Sequence, residues 1–300
     1  MSSGIEVAAR EAGDTATMNN TRARRVRQIL AIMRLEVHKN FFGRRAILIY
    51  LLALVPVGIV ALLALTLVLH PPDGDEWRNA VESGSLFARI YEGLYEGLIL
   101  RTIVFFGCAW IFMNLFRGEI VDRSLHYYFL APVRREVLVV GKYLSGLFTA
   151  IVLFTATTLL TMFFLYLPRD RSFNESHFLR GPGIKYALTY VAITALACLG
   201  YGAIFLLIGL FFRNPIFPAL VAYGWEWINF LLPPLLKKIS VVHYLNSLAP
   251  VPIADTSAFA VLAEPTPAWI SVPGLMLVTA AALFIASRRI RRMEIRYGSD

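Results

Sequence analysis

The chain reads as an all-α polytopic membrane protein: six transmembrane helices, an N-terminal amphipathic interfacial helix, and a short charged helix between spans two and three. Three observations predict this. Hydrophobic residues make up 57% of the chain and charged residues only 16%, where a soluble domain carries about 25% charged residues. The apolar residues fall in blocks, each suited to crossing a hydrocarbon layer ~30 Å thick as a helix. Lipid offers the backbone no hydrogen bonds, so helices are the form such blocks take. Finally, Lys and Arg are distributed unevenly among the segments between the blocks.

Residues 1–23 are polar and mixed, with no apolar core or cleavage site. They read as a disordered cytoplasmic tail and not as a signal peptide. Residues 24–290 read as one transmembrane domain, and 291–300 as a basic cytoplasmic tail. Val26, Ile29, Leu30, Met33, Val37 and Phe41 recur at three- and four-residue steps. They predict a helix lying in the interface, with Arg27 and Arg34 near anionic headgroups and Glu36 on the same element.

The spans are expected at 46–69, 98–116, 137–167, 186–212, 216–232 and 269–286. Pro71-Pro72-Asp73-Gly74 breaks the chain after the first. Ser83 to Gly97 can be helical and lead into the second, where Arg101 can snorkel. The third is too long for a bilayer. It either tilts strongly or projects its first two turns into the cytoplasm, and Lys142 favours projection. Pro215 and Pro218 bracket the start of a short fifth span that Pro233-Pro234 end. The following stretch to Ala268 is expected to be partly re-entrant or to lie on the surface.

An even number of spans puts both termini on one side. That side would hold most of the 29 basic residues, while the first opposite loop is acidic, with Asp73, Asp75, Glu76, Glu82, Glu92 and Glu96. The positive-inside rule therefore makes both termini cytoplasmic, and the expected compartment is the bacterial inner membrane. The same rule explains the net charge of +9, which lends no support to nucleic-acid binding. Membrane lipid is the expected surrounding. Cys108 and Cys198 fall inside spans and read as buried free thiols.

Reactive patterns are missing. No G-x-x-x-x-G-K-[ST] occurs, and Gly141-Lys142-Tyr143 lacks both the upstream glycine and the hydroxyl that would hold magnesium. The histidines form no H-E-x-x-H, no Cys–His metal spacing occurs, and there is no G-x-S-x-G. No catalytic residue, metal site or bound cofactor is expected in this chain. Energy for work would come from an ion gradient or from a partner.

The segment between spans two and three carries Arg117-Gly118-Glu119, Asp122-Arg123-Ser124-Leu125, Tyr127-Tyr128-Phe129-Leu130 and Pro132-Val133-Arg134-Arg135, then Gly141-Lys142. This order resembles the coupling-helix region of type-2 ABC exporter permeases. Glu119, Leu125, Leu130, Pro132, Val133, Arg135, Gly141 and Lys142 fill that pattern's places. Ser124 stands where Thr is usual, and Asp122-Arg123 replace a glycine.

The resemblance implies a cytoplasmic coupling helix and the membrane subunit of an ATP-driven exporter. Such a subunit pairs with a second copy or a homologous permease. Two separate ATPase subunits sit beneath the pair and hold ATP and Mg²⁺. Glu119, Asp122, Arg123, Leu125, Tyr128, Pro132, Arg134 and Arg135 are the expected ATPase contacts.

Glu226 falls within Trp225-Glu226-Trp227-Ile228-Asn229 in the predicted fifth span. A carboxylate at bilayer depth costs about 2.5–3.5 kcal/mol on insertion scales and is functional or paired. It either lines a substrate pathway with Trp225, Trp227, Asn229 and Asn114, or holds an interhelical hydrogen bond. Asn114 reads first as helix–helix glue, together with Thr155, Thr157, Thr158 and Thr161. Gly200, Gly202 and Gly209 suggest close packing. An ion-gradient transporter would explain Glu226, but it predicts broken helices in related halves. A non-transport scaffold leaves the charged segment unexplained.

Overall fold

The computed structural model describes residues 24–43, 46–70, 85–121, 134–169, 174–212, 214–228, 233, 240–250 and 267–291. All regular structure among them is helical. Helix α1 covers 24–42 and α2 covers Ala46–Leu69. Helix α3 runs from Ser85–Leu94 through a π-helical stretch, Tyr95–Val104, into Phe105–Val121. Helix α4 is Arg135–Tyr166, α5 is Gly183–Phe211, α6 is Ile216–Trp227, α7 is Val241–Asn246 and α8 is Ala268–Arg291.

Five of these are long and apolar enough to cross a membrane: α2, Phe87–Arg117 within α3, α4, α5 and α8. The chain is a polytopic helical membrane protein. Residues 122–133, outside the described residues, connect α3 to α4 at what is called here the insert end. Helix α5 is central and packs against α3, α4 and α8, while α2 packs mainly on α4. On α2, Ala53, Val57, Val60 and Ala64 are buried, while Ile47, Leu51, Leu54 and Leu62 are exposed. In lipid, which is as apolar as these side chains, that exposed face carries no penalty.

Small residues let α3 and α5 meet. A Cβ on Gly209 would lie 2.9 Å from the Met113 Cα, so α5 backbone rests on α3 backbone. Gly202 receives the Phe112 ring. Of the threonines, Thr157 donates across to the Ala53 carbonyl (3.3 Å) and Thr158 meets Thr194 (3.2 Å), as interhelical glue does. Thr155 bonds only within its own helix, to the Ile151 and Val152 carbonyls. Cys108 and Cys198 are free and buried.

The structure bears on four of the expectations. The predicted fifth span, 216–232, is α6 through Trp227, about 18 Å long at ~1.5 Å per residue, with Ile228 as its cap. Residues 229–232 of that prediction lie outside the described residues. Lys142 is fully buried within the bundle. The apolar stripe of α1 is divided. Ile29, Met33 and Val37 are half-buried with Ile32, whereas Val26 and Leu30 are more than half exposed. The second span also begins earlier than expected, near Phe87.

Candidate functional site

Two polar clusters hold the bundle at the insert end. In the first, Lys142 Nζ lies 2.9 Å from Glu36 Oε1 and donates to the Leu115 carbonyl at 2.9 Å. Its ammonium stands 5.3 Å from the Phe116 ring centre. Gly141 makes this approach feasible: a Cβ there would meet Ile32 at 3.0 Å. Ile32 and Glu36, one turn apart on α1, thus seat on Gly141 and Lys142 of α4, while Lys142 also grips α3. Burial raises the Glu36 pKa, but Lys142 and Lys39 outweigh it and hold the carboxyl below its ordinary value.

In the second cluster, Arg135 Nη1 donates to the Ile290 (3.2 Å) and Arg291 (3.0 Å) carbonyls at the end of α8. The last carbonyls of a helix have no partner within it, and a guanidinium there satisfies them and complements the helix dipole. Arg291 forms an ion pair with Glu136. The two ends of the 122–133 connection are therefore fastened to different elements. Upstream, α3 is tied through Lys142 to α1. Downstream, the start of α4 is tied to α8. Displacing the connection would be felt at α1 and α8 together.

The predicted site residues distribute unevenly. Asp122, Arg123, Leu125, Tyr128 and Pro132 lie outside the described residues, as does Asn229. Glu119 is in the last turn of α3, on a backbone that is helical there. Arg134 is exposed, while Arg135 is turned toward α8. Arg27 and Arg34 are exposed on α1, and Glu36 is buried. Asn114 donates to the Trp110 carbonyl of its own helix at 2.7 Å. Trp227 is 45% exposed.

Glu226 is buried at the end of α6 and is bonded to the start of α7. It accepts from Ser240 Oγ (2.5 Å), the Val241 N–H (3.1 Å) and the Val242 N–H (3.3 Å). Ser240 Oγ in turn accepts from the His243 N–H. These are the orphan donors of a helix N-terminus, which carboxylates satisfy well. This is the hydrogen-bonding alternative of the two considered for Glu226.

One polar network escaped sequence reasoning. On α3, Tyr91 donates to the Thr158 carbonyl (2.8 Å), Glu92 accepts from Tyr190, and Tyr95 donates to the Tyr190 carbonyl (3.1 Å). Glu96 pairs with Arg101 and accepts from Asn246, both at 2.6 Å. Glu92 and Glu96 were counted with an acidic loop. The four-residue spacing of Tyr91 with Tyr95 and of Glu92 with Glu96 was the available signal that they share a helix.

Among the described residues, no group of three or more His, Cys, Asp or Glu is placed to hold a metal ion. No family model, curated protein or solved structure matches the chain.

Proposed function

We propose that this chain is the membrane-spanning permease subunit of an ATP-driven ABC exporter of the type-2 fold. The observation that carries the reading is the place of Gly141-Lys142. In the resembled pattern this pair opens the span after the coupling helix. Here it is the seat of α1, with Lys142 bonded to Glu36 and to the Leu115 carbonyl. Such a joint converts a push on the 117–136 segment into movement of α1, α3 and α4 together. A partner that changes shape on binding ATP would supply the push.

On this reading both termini are cytoplasmic and the membrane is a bacterial inner membrane. Two ATPase subunits dock at the insert end, ATP and Mg²⁺ bind to them, and a second permease completes the pathway. The absence of any Walker A sequence in the chain fits a subunit that borrows its ATPase.

The test is reconstitution. The purified chain in proteoliposomes should show no ATP turnover above background. Adding a co-purifying subunit that contains a Walker A sequence should give turnover and ATP-dependent export. Stoichiometric hydrolysis by the chain alone would sink the reading. So would transport driven by an ion gradient without ATP.

A further inference from the structure

We propose that the cavity at the end of the bundle opposite the insert binds a membrane phospholipid carrying a primary-ammonium headgroup, phosphatidylethanolamine, with an acyl chain lying along α4. The cavity measures about 630 Å³, within the ~300–1,000 Å³ usual for small-molecule sites. Leu159, Met162, Phe163, Tyr166 and Leu167 line it. Their three- and four-residue spacing makes one stripe of α4 about 12 Å long. Leu159, Phe163 and Leu167 are also 46%, 59% and 52% exposed, so this wall faces the surrounding hydrocarbon. An acyl chain can enter sideways without crossing water. Phe178 and Ala187, the latter contributing only a methyl group from α5, also line it.

The other end of the cavity is polar, with Arg169, Asn174 and Glu175. Both signs of charge occur there, which suits a zwitterion better than an anion. Arg169 is positioned by the Phe87 ring, 4.8 Å from its guanidinium carbon, and offers a cation to a phosphate. Asn174 Nδ2 is committed to the Tyr166 carbonyl at 3.0 Å, which orients the amide. Its Oδ1 is buried with no hydrogen-bond partner among the described residues. A buried acceptor without a donor is costly. The N–H groups of an ethanolamine ammonium would satisfy it beside Glu175, whereas a choline headgroup has none to give. The proposal requires only that the chain sits in a bilayer and is independent of the exporter reading.

Native mass spectrometry of the detergent-purified full chain tests this with phosphatidylethanolamine and phosphatidylcholine of identical acyl chains. We expect one saturable phosphatidylethanolamine adduct, about tenfold tighter than phosphatidylcholine, and weakened about tenfold by Ala187→Trp or Leu159→Trp. Equal binding of the two lipids, or adducts unchanged in both variants, overturns it. Should either variant fail to fold, wild-type protein cross-linked by phosphatidylethanolamine with a diazirine-bearing acyl chain decides. Labelling at 159–167 and 178–187 that unlabelled phosphatidylethanolamine competes away supports the site. Labelling that is not competed, or that lies elsewhere, overturns it.

Discussion

Lys142 Nζ lies 2.9 Å from Glu36 Oε1, and the two side chains are 0% and 6% exposed. They are 106 residues apart in sequence and fasten the interfacial helix to the start of the third span. Desolvating two charges costs several kcal/mol per ion, which their attraction repays only with good geometry and further hydrogen bonds. The Leu115 carbonyl supplies one such bond, so α1, α3 and α4 converge on one ammonium.

Breaking one side of this pair should therefore cost far more than removing both. Lys142→Met leaves Glu36 buried without its closest cation, and Lys39, 3.5 Å away, is half exposed. We expect a loss of about 3–5 kcal/mol, the range for an uncompensated buried charge. The double variant Glu36→Leu/Lys142→Met should recover most of that loss. Thermal unfolding in detergent, followed by tryptophan fluorescence, measures both. Equal losses in the single and double variants would show that the charges do not act as a pair.

The same pair predicts a pH dependence. The folded-state pKa of Glu36 lies below its ordinary value of 4.5. Below that value the unfolded chain binds the proton more readily than the folded one, so stability falls as pH falls. The contribution is fully present above pH 4.5 and is lost as pH drops through the lower folded value. The difference in melting temperature between wild type and Glu36→Gln should be constant from pH 7 to about 5 and shrink below the ordinary carboxylate range. A difference that is flat down to pH 3 would remove Glu36 as its source.

Much of this arrangement was legible in the sequence, and the limits of legibility are physical. Ala46–Leu69 was placed to the residue because Gly43-Arg44-Arg45 and His70-Pro71 flank an uninterrupted apolar block. The helix leading into the second span was expected from Ser83 and is present from Ser85, but its share in the span was not seen, because Glu92 and Glu96 lower local hydropathy even though tyrosines, an arginine and an asparagine pair with them inside the protein. Hydropathy counts a charge without its partner. The burial of Lys142 was not legible for the same reason: Glu36, its partner, is on another element. Glu226 was singled out by its apolar surroundings. Its hydrogen bonds to Ser240, Val241 and Val242 join two elements whose approach no periodicity announces.

Gly209 offers a sharper test of the packing. A Cβ there would lie 2.9 Å from the Met113 Cα and 3.0 Å from its carbonyl oxygen, and backbone cannot rotate away as a side chain can. Gly209→Ala should destabilise by about 1–3 kcal/mol, the usual cost of overpacking. Gly224→Ala, with nothing within 4 Å of the added methyl, should be neutral or slightly stabilising. Similar melting temperatures for the two variants would mean that α3 and α5 are not in such close contact.

Glu226 separates two roles by substitution. Ala leaves the Ser240 hydroxyl and the Val241 and Val242 N–H groups without their acceptor, and losing a cap of this kind costs about 1–2 kcal/mol. Gln keeps one acceptor oxygen and should cost about half as much. If Glu226→Ala folds with wild-type stability yet loses transport, the carboxylate serves the substrate pathway and not the α6–α7 contact.

Arg134 and Arg135 are adjacent, and the structure gives them different tasks. Arg135 is bonded to the Ile290 and Arg291 carbonyls, whereas Arg134 is exposed at the mouth of the connection. Under the proposed function, an ATPase subunit arriving from the insert end meets Arg134 directly and Arg135 only through α8. Arg135→Ala should loosen the end of α8 and lower stability by about 1–3 kcal/mol, the usual cost of losing hydrogen bonds to a charged group. Arg134→Ala should leave the melting temperature unchanged and weaken ATPase assembly. A solvent-exposed contact is screened by salt over a Debye length of about 8 Å at physiological ionic strength. The assembly defect should therefore be larger at low salt than at 0.5 M, and co-purification yield across a salt series reads it. If Arg134→Ala assembles normally at every salt concentration while Arg135→Ala does not, the partner is held through α8, and the docking surface must be redrawn around the C-terminal helix.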